Sequence, residues 1–358
     1  MSEFPEVAVV GFAQSPQVAE TTGTTNGVEM LVPIFQQLFA DTGLDRREVG
    51  FWCSGSSDYL AGRAFSFVSA VDAIGALPPI IESHVEGDAA WALYEAWLKI
   101  RTGEVDTALV YGFGKASAGE LNRVLALQTD PYLVAPLWPD AISLAALQAR
   151  AGIDAGRWSE KEMAEVAARA RQAGAGNPNA QLREPLEAST LLDAPYLADP
   201  LRAHDCAPIT DGAAAIVLAA AHRAPDLCAR PAWITGIEHR VDSPAFGTRD
   251  LTRSPSAAAA AHAALGAAGP EGIQVAELAA PFTSQELLLR RELGLLAEDV
   301  EVNPSGGPLC GNPMFSGGLV RIGEAAARVH AGSAQRVLAH ASNGPLLQQN
   351  LICVMEGR

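Results

Sequence analysis

One pattern occurs twice, and it constrains the fold more than any other feature. ALYEAWLKIRTGEVDTALVYGFG (Ala92–Gly114) reads as a helix, a closing glycine, a short gap and an apolar strand ending in small residues. LVRIGEAAARVHAGSAQRVLAHASNG (Leu319–Gly344) repeats that order with nearly the same spacing. Two copies of one helix–turn–strand unit, far apart in one chain, point to duplicated α/β halves. Apolar strands with helices between them favour sheets covered on both faces.

The rest of the chain fits this frame. EVAVVGFAQ reads as a strand, GVEMLVPIFQQLFADTG as a helix, VGFWCSG as a strand opening into a loop, AFSFVSAVDAIG as a helix and PPIIESHV as a short strand. GDAAWALYEAWLKIRTG and DTALVYGFG then supply a helix and a strand. From Lys115 to Ala203 strand patterning is scarce, and SEKEMAEVAARARQAGA is an amphipathic helix, which predicts an inserted loop or lid region. After it come the strands DGAAAIVLAA and AWITGIEHRV, a helix opened by Ser-Pro in SPSAAAAAHAALGAAG, the strand VAELAAPF, the helix SQELLLRRELG, a glycine-rich loop, the helix SGGLVRIGEAAARVHAG, and the strands RVLAHASNG and LICVMEG. The expected organisation is a first half over 1–114, a loop region over 115–203 and a second half over 204–358.

Composition removes several function classes. The net charge of -16 gives an acidic surface, with no basic run to bind nucleic acid. No apolar run has the length of a membrane span, and the N-terminus lacks the basic and apolar regions of a signal peptide. The five cysteines, Cys53, Cys206, Cys228, Cys310 and Cys353, are odd in number and scattered, which fits a reducing cytoplasm and neither a zinc site nor a disulfide scaffold. His239, His262, His330 and His340 have no ligand spacing, so no metal is expected.

VNPSGGPLCGNPMFSGG (Val302–Gly318) runs straight into a helix, as phosphate-binding loops do. It has neither the GxxxxGK[ST] of a P-loop nor GxGxxG spacing. It follows VAELAAPF and leads directly into the second copy of the repeat, and the family resemblance set out next implies that it is an active-site floor.

The segments VDTALVYGFGKAS, NPNAQ, ADPLRAHDCAPITDGAAAIVLA, VAELAAPFTSQELLLRRELGL, NPSGG and LLQQN, taken in order, resemble the thiolase superfamily. The resemblance spans Glu6 to Gly357 and is to the branch of the sterol carrier protein x thiolase domain and the bacterial lipid-transfer proteins. Within that branch it lies nearest to the steroid side-chain aldolases. It implies an α/β fold of five layers (αβαβα), two similar halves plus a loop domain. It also implies assembly as a homodimer or as a heterodimer with another thiolase-like subunit. No permanent cofactor is implied; coenzyme A enters as part of the substrate.

The family's catalytic groups carry over poorly. The nucleophilic cysteine position falls on or beside Glu86, and a carboxylate cannot form the same acyl intermediate. Ala279, Ala280 and Pro281 stand where the family has Asn-Glu or His-Asp before its phenylalanine, here Phe282. The Gly-His-Pro signature reads Gly311-Asn312-Pro313, and the C-terminal acid/base cysteine has no counterpart in LLQQN. Relatives without the cysteine cleave β-hydroxyacyl-CoA thioesters by retro-aldol chemistry with a zinc-ribbon and OB-fold partner. Those aldolases use tyrosines in their later half, whereas all five tyrosines here precede residue 200. Three readings stay open: a CoA-thioester lyase, a non-catalytic acyl-CoA-binding subunit, and, least favoured, an acetyl-CoA acyltransferase.

The catalytic candidates are Glu86, His84 and Asp88 at the strand–helix junction, and Asn312 as an enolate donor. The substrate-binding candidates are Asp58 and Tyr59 in SGSSDYLAG, Gly306, Gly307 and Cys310 in the loop, and Asn343, Gly344, Gln348 and Asn350 near the last strands. Asp88 also suits plain helix capping, and Asn312 a turn before proline.

Overall fold

The computed structural model describes residues 4–22, 27–58, 66–75 and 79–358. The first half contains β1 (Val7–Gln14), α1 (Gly27–Thr42), β2 (Phe51–Ser56), α2 (Ser66–Val71), β3 (Glu82–Glu86), α3 (Ala89–Arg101) and β4 (Thr107–Gly114). The middle region contains α4 (Leu121–Leu127), α5 (Ala141–Asp154), α6 (Glu160–Gly174), α7 (Ala188–Leu191), β5 (Tyr196–Ala198) and β6 (Leu201–Arg202). There follow β7 (Ile209–Thr210), β8 (Gly212–Ala220), α8 (Ala224–Leu227), β9 (Ala232–Val241), α9 (Pro255–Leu265) and β10 (Val275–Leu278). The chain ends with α10 (Thr283–Glu292), β11 (Glu301–Val302), β12 (Asn312–Pro313), α11 (Gly317–His330), β13 (Arg336–Asn343) and β14 (Gln349–Glu356).

The duplication is visible in the sheet. Its strand order is β11-β10-β13-β14-β9-β1-β8-β4-β2-β3. Outward from the seam between β1 and β9, both halves show the same sequence of pairings. β1–β8 and β9–β14 are antiparallel, as are β8–β4 and β14–β13; β4–β2 and β13–β10 are parallel, as are β2–β3 and β10–β11. The seam itself is short, pairing Ala8 with Trp233 and Val9 with Ala232. The repeated unit falls where the sequence puts it: residues 102–106 separate α3 from β4, and residues 331–335 separate α11 from β13. One strand crosses the expected division. β8, read from sequence order as part of the second half, hydrogen-bonds to β1 and β4 in the first.

Strand alternation creates the layers. Val7 and Val9 of β1, Ala108 and Val110 of β4, and Ile216 and Leu218 of β8 face a central core shared with α3, α11, β13 and β14. Their neighbours Ala8, Val10, Leu109, Tyr111 and Val217 face the opposite way, onto α1. A third core, beneath α9, α10 and α5, covers the outer face of the second half. Helices, sheet, central helices, sheet and helices therefore make five layers. A fully buried Leu or Ile in the central layer contributes roughly 1.5–3 kcal/mol of transfer free energy, and α11 alone buries Leu319, Val320, Ile322 and Val329.

This arrangement brings the N-termini of α3 and α11 side by side at the heart of the molecule. The α11 backbone passes so close that a Cβ on Gly318 would lie 2.5 Å from Asp88 Oδ1. Gly114, at the end of β4, is pressed as tightly against the glycine-rich loop, 2.1 Å from Met314 O for a Cβ built there.

Candidate active site

Asp88 caps α3. Its Oδ1 accepts from Ala90 N–H (2.8 Å) and its Oδ2 from Gly318 N–H at the start of α11 (2.8 Å). One carboxylate thus joins the two halves at the positive ends of two helices. Burial pushes the Asp88 carboxyl above its ordinary range even though these backbone donors and the nearby Arg321 pull it down.

Asp88 belongs to the wall of a cavity of about 280 Å³ between the middle region and the strand ends of the second half. Leu125 of α4, Ile142 and Leu144 of α5, Phe282, Leu346 and Leu347 make the wall largely apolar. α5 was not foreseen from the sequence. Its polar lining includes Asp88, Asn312, Asn343, Ser342, Gln285 and Arg321, with Asn122, Gln128 and Thr129 toward α4. Asn312 Oδ1 lies 3.2 Å from a Cβ built on Gly317, and Asn343 Nδ2 lies 3.1 Å from one built on Gly87, next to Asp88. Ser342 Oγ donates to Ala279 O (3.0 Å).

The cavity's shape depends on an unusual turn. Leu346 and Leu347 have φ of 59° and 55°, a left-handed conformation that is costly for leucine. Arg249 Nη2 donates to Leu346 O (2.7 Å) and Asn350 Nδ2 to Leu347 O (2.7 Å), which pins the turn in place.

Of the sequence candidates, the structure brings together Asp88, Asn312, Asn343 and Gly344 at this cavity. The others lie elsewhere. His84 and Glu86 sit on β3, the outermost strand, with His84 Nδ1 3.0 Å from Ser54 Oγ and the Glu86 side chain 60% exposed. Asp58 follows β2 outside the cavity wall, and Tyr59 lies outside the described residues. Gly306 N–H donates to Asn303 O and Gly307 N–H to Ser305 Oγ, so both are spent within the loop. Cys310 Sγ donates to Ala170 O (3.1 Å) on α6, and burial pushes its thiol up to about 11. Gln348 lines a second hollow of about 210 Å³ beside Gln128 and Phe246. Asn350 is fully buried, holding Ser256 Oγ and Leu347 O with its amide while its Oδ1 faces His340 Nε2 (2.9 Å).

Sequence reasoning did not single out Arg321 and Glu277. Arg321 Nη1 donates to Glu277 Oε2 (2.5 Å) and to Ser305 Oγ (2.6 Å), all buried. The signal was a charged residue on the apolar face of each element: Glu277 within VAEL and Arg321 within GGLVRIG. Cys206, one of the five scattered cysteines, also lines the cavity, and burial pushes its thiol up to about 12. Among the described residues, no cluster of His, Cys, Asp and Glu is placed to hold a metal, and no helix is long and apolar enough to cross a membrane.

The whole architecture superposes on solved structures. An acetyl-CoA acetyltransferase from Bacillus anthracis matches with a TM-score of 0.79 over 99% of both chains, at 16% identity. The fold is thiolase-like. The structure named Ltp2-ChsH2(DUF35) aldolase matches this thiolase-like chain with a TM-score of 0.77 over 98% of both, at 19% identity. In sequence, an acetyl-CoA acetyltransferase from Methanothermobacter thermautotrophicus is 26% identical over 277 residues, 69% of this chain and 71% of that one. The 17-hydroxy-3-oxo-4-pregnene-20-carboxyl-CoA lyase of Mycobacterium tuberculosis is 31% identical over 173 residues, 45% of each chain. No protein-family model matches. The thiolase-like fold is thus shared with both acyltransferases and lyases, and the chemistry of the cavity has to separate them.

Proposed function

We propose that this protein binds an acyl-CoA thioester with a bulky apolar acyl group and cleaves a carbon–carbon bond in it by retro-aldol chemistry. The observation that carries this reading is a largely apolar cavity with a carboxylate of raised pKa and amide donors among its polar groups, and no cysteine poised to ionise. A thiolate nucleophile is what acyl transfer requires. A retro-aldol step requires only a base and donors.

Asp88 takes the proton from the β-hydroxyl of the acyl group. The electrons of that O–H bond form the new carbonyl, and the Cα–Cβ pair moves into the thioester as an enolate. Asn312 and Asn343 donate to the enolate oxygen. Protonation at Cα by Asp88 then returns the proton and releases a shorter acyl-CoA with a ketone or aldehyde. A carboxyl whose pKa burial raises is a better proton acceptor once ionised than an ordinary surface carboxylate.

The test is product analysis by mass spectrometry after incubation with a panel of β-hydroxyacyl-CoA thioesters, with and without a zinc-ribbon/OB-fold partner subunit. A shorter thioester with a matching carbonyl product is expected. Intact substrate across the panel in both arms overturns the lyase reading.

One observation favours a second reading. Both oxygens of Asp88 already accept backbone N–H groups, as they would in a purely structural clamp. The chain would then be a non-catalytic acyl-CoA-binding subunit of a hetero-oligomer, and Asp88→Asn would leave the activity of that complex unchanged.

A further inference from the structure

The second hollow, of about 210 Å³, takes no part in the chemistry above. Gln128, Thr129 and Pro345 line both it and the main cavity, so they form the partition between the two. The rest of its wall is mostly apolar, from Pro131, Val134, Pro244 and Phe246. Asp130 also borders it, but its Oδ1 already accepts the backbone N–H groups of Tyr132 (3.1 Å) and Leu133 (2.6 Å). Leu121, Leu125 and Gln128 recur at helical spacing in the wall of the main cavity, so α4 runs along that wall and ends at the partition. On the other side, Pro345 and Gln348 bracket the Leu346–Leu347 turn and carry the wall on into the hollow.

Gln128 is the part of the partition that can move. Thr129 is buried and its Oγ1 donates to Ala126 O (2.6 Å), while Pro345 is a rigid ring. Gln128 caps the end of α4 through its backbone N–H, and its exposed side chain has no hydrogen-bond partner among the described residues. Size points the same way. Sites for small molecules hold about 300–1,000 Å³. The main cavity alone, at about 280 Å³, falls just short of that range, and the two spaces joined fall within it.

We propose that the second hollow is a distal subsite for the far end of the acyl group, and that the Gln128 side chain at the junction determines how long an acyl group the protein accepts. This rests on the thioester reading and adds a specificity-determining residue to it.

Binding calorimetry with butyryl-CoA and dodecanoyl-CoA tests the assignment. Gln128→Trp plugs the junction. It is expected to weaken dodecanoyl-CoA about tenfold, since each methylene kept out of an apolar site costs about fourfold in affinity, and to leave butyryl-CoA unchanged. Should that variant fail to melt with the wild type, Phe246→Ala alters the second hollow without touching the main cavity and carries the same expectation. An unchanged affinity for dodecanoyl-CoA, or equal losses for the two thioesters, overturns the distal subsite and leaves the thioester reading standing. Failure of both thioesters to bind the wild type overturns the thioester reading and this inference with it.

Discussion

Replacing Asp88 separates its structural role from its chemical one. Asp88→Ala strips the acceptor from two buried N–H groups, those of Ala90 and Gly318. Leaving a buried donor unpaired costs about 1–3 kcal/mol, and some of that is returned because the carboxylate no longer has to be buried, so the net loss is about 2–4 kcal/mol. A chain of this size loses about 2 °C of melting temperature per kcal/mol, which gives a drop of about 4–8 °C. Asp88→Asn keeps one acceptor and should lose less. Its pH dependence carries the sharper test. Burial raises the carboxyl pKa in the folded state, so the stability this group contributes is fully present below its unfolded pKa and is lost as pH rises through the folded value. The asparagine variant has no such loss. Its melting temperature should therefore gain on the wild type as pH is raised from about 4 to about 8 in scanning calorimetry. A gap that widens with pH, or an alanine variant that melts with the wild type, refutes the reasoning.

Three further outcomes follow from the same geometry. Cys206, its thiol pushed up to about 12 by burial, should form no acyl adduct in intact-protein mass spectra after incubation with acetyl-CoA, and should alkylate far more slowly at neutral pH than an exposed cysteine. Burial alone would raise Asp211, but donors from Ser117 and Thr21 hold it below its ordinary range; Asp211→Asn should thus lower the melting temperature at neutral pH, with the deficit shrinking as pH falls through the folded pKa. Gly114→Ala forces a Cβ onto Met314 O beside the cavity, and should cost roughly 1–3 kcal/mol by chemical denaturation while weakening acyl-CoA binding.

The repeat made the fold legible because helix and strand periodicities survive in both copies, down to matching gaps before β4 and β13. The placement of β8 was less legible. Sequence order puts GAAAIVLAA after the middle region, but pairing with β1 and β4 is a long-range choice that periodicity does not encode. α5 was hidden for a different reason: AISLAALQARAG is rich in alanine and apolar on several sides, because it packs against both α10 and the cavity. Among the residues that line the cavity, Asp88 was a candidate from its place at a strand–helix junction, and Asn343 and Gly344 from their place near the last strands. The same junction also offered His84 and Glu86, whose side chains lie on the outermost strand, away from the cavity. Arg321 and Glu277 are separated by more than a helix and a loop, so only their burial reveals them as a pair.

The central claim is that an acyl thioester occupies this cavity with its β-oxygen beside Asp88. A crystal structure with a non-cleavable β-hydroxyacyl-CoA analogue measures it directly. The account predicts the acyl group between α4, α5 and the Leu346–Leu347 turn, with the hydroxyl about 2.6–3.2 Å from Asp88. An analogue bound away from the cavity, or with its β-oxygen remote from Asp88 and its thioester against Cys206, contradicts it.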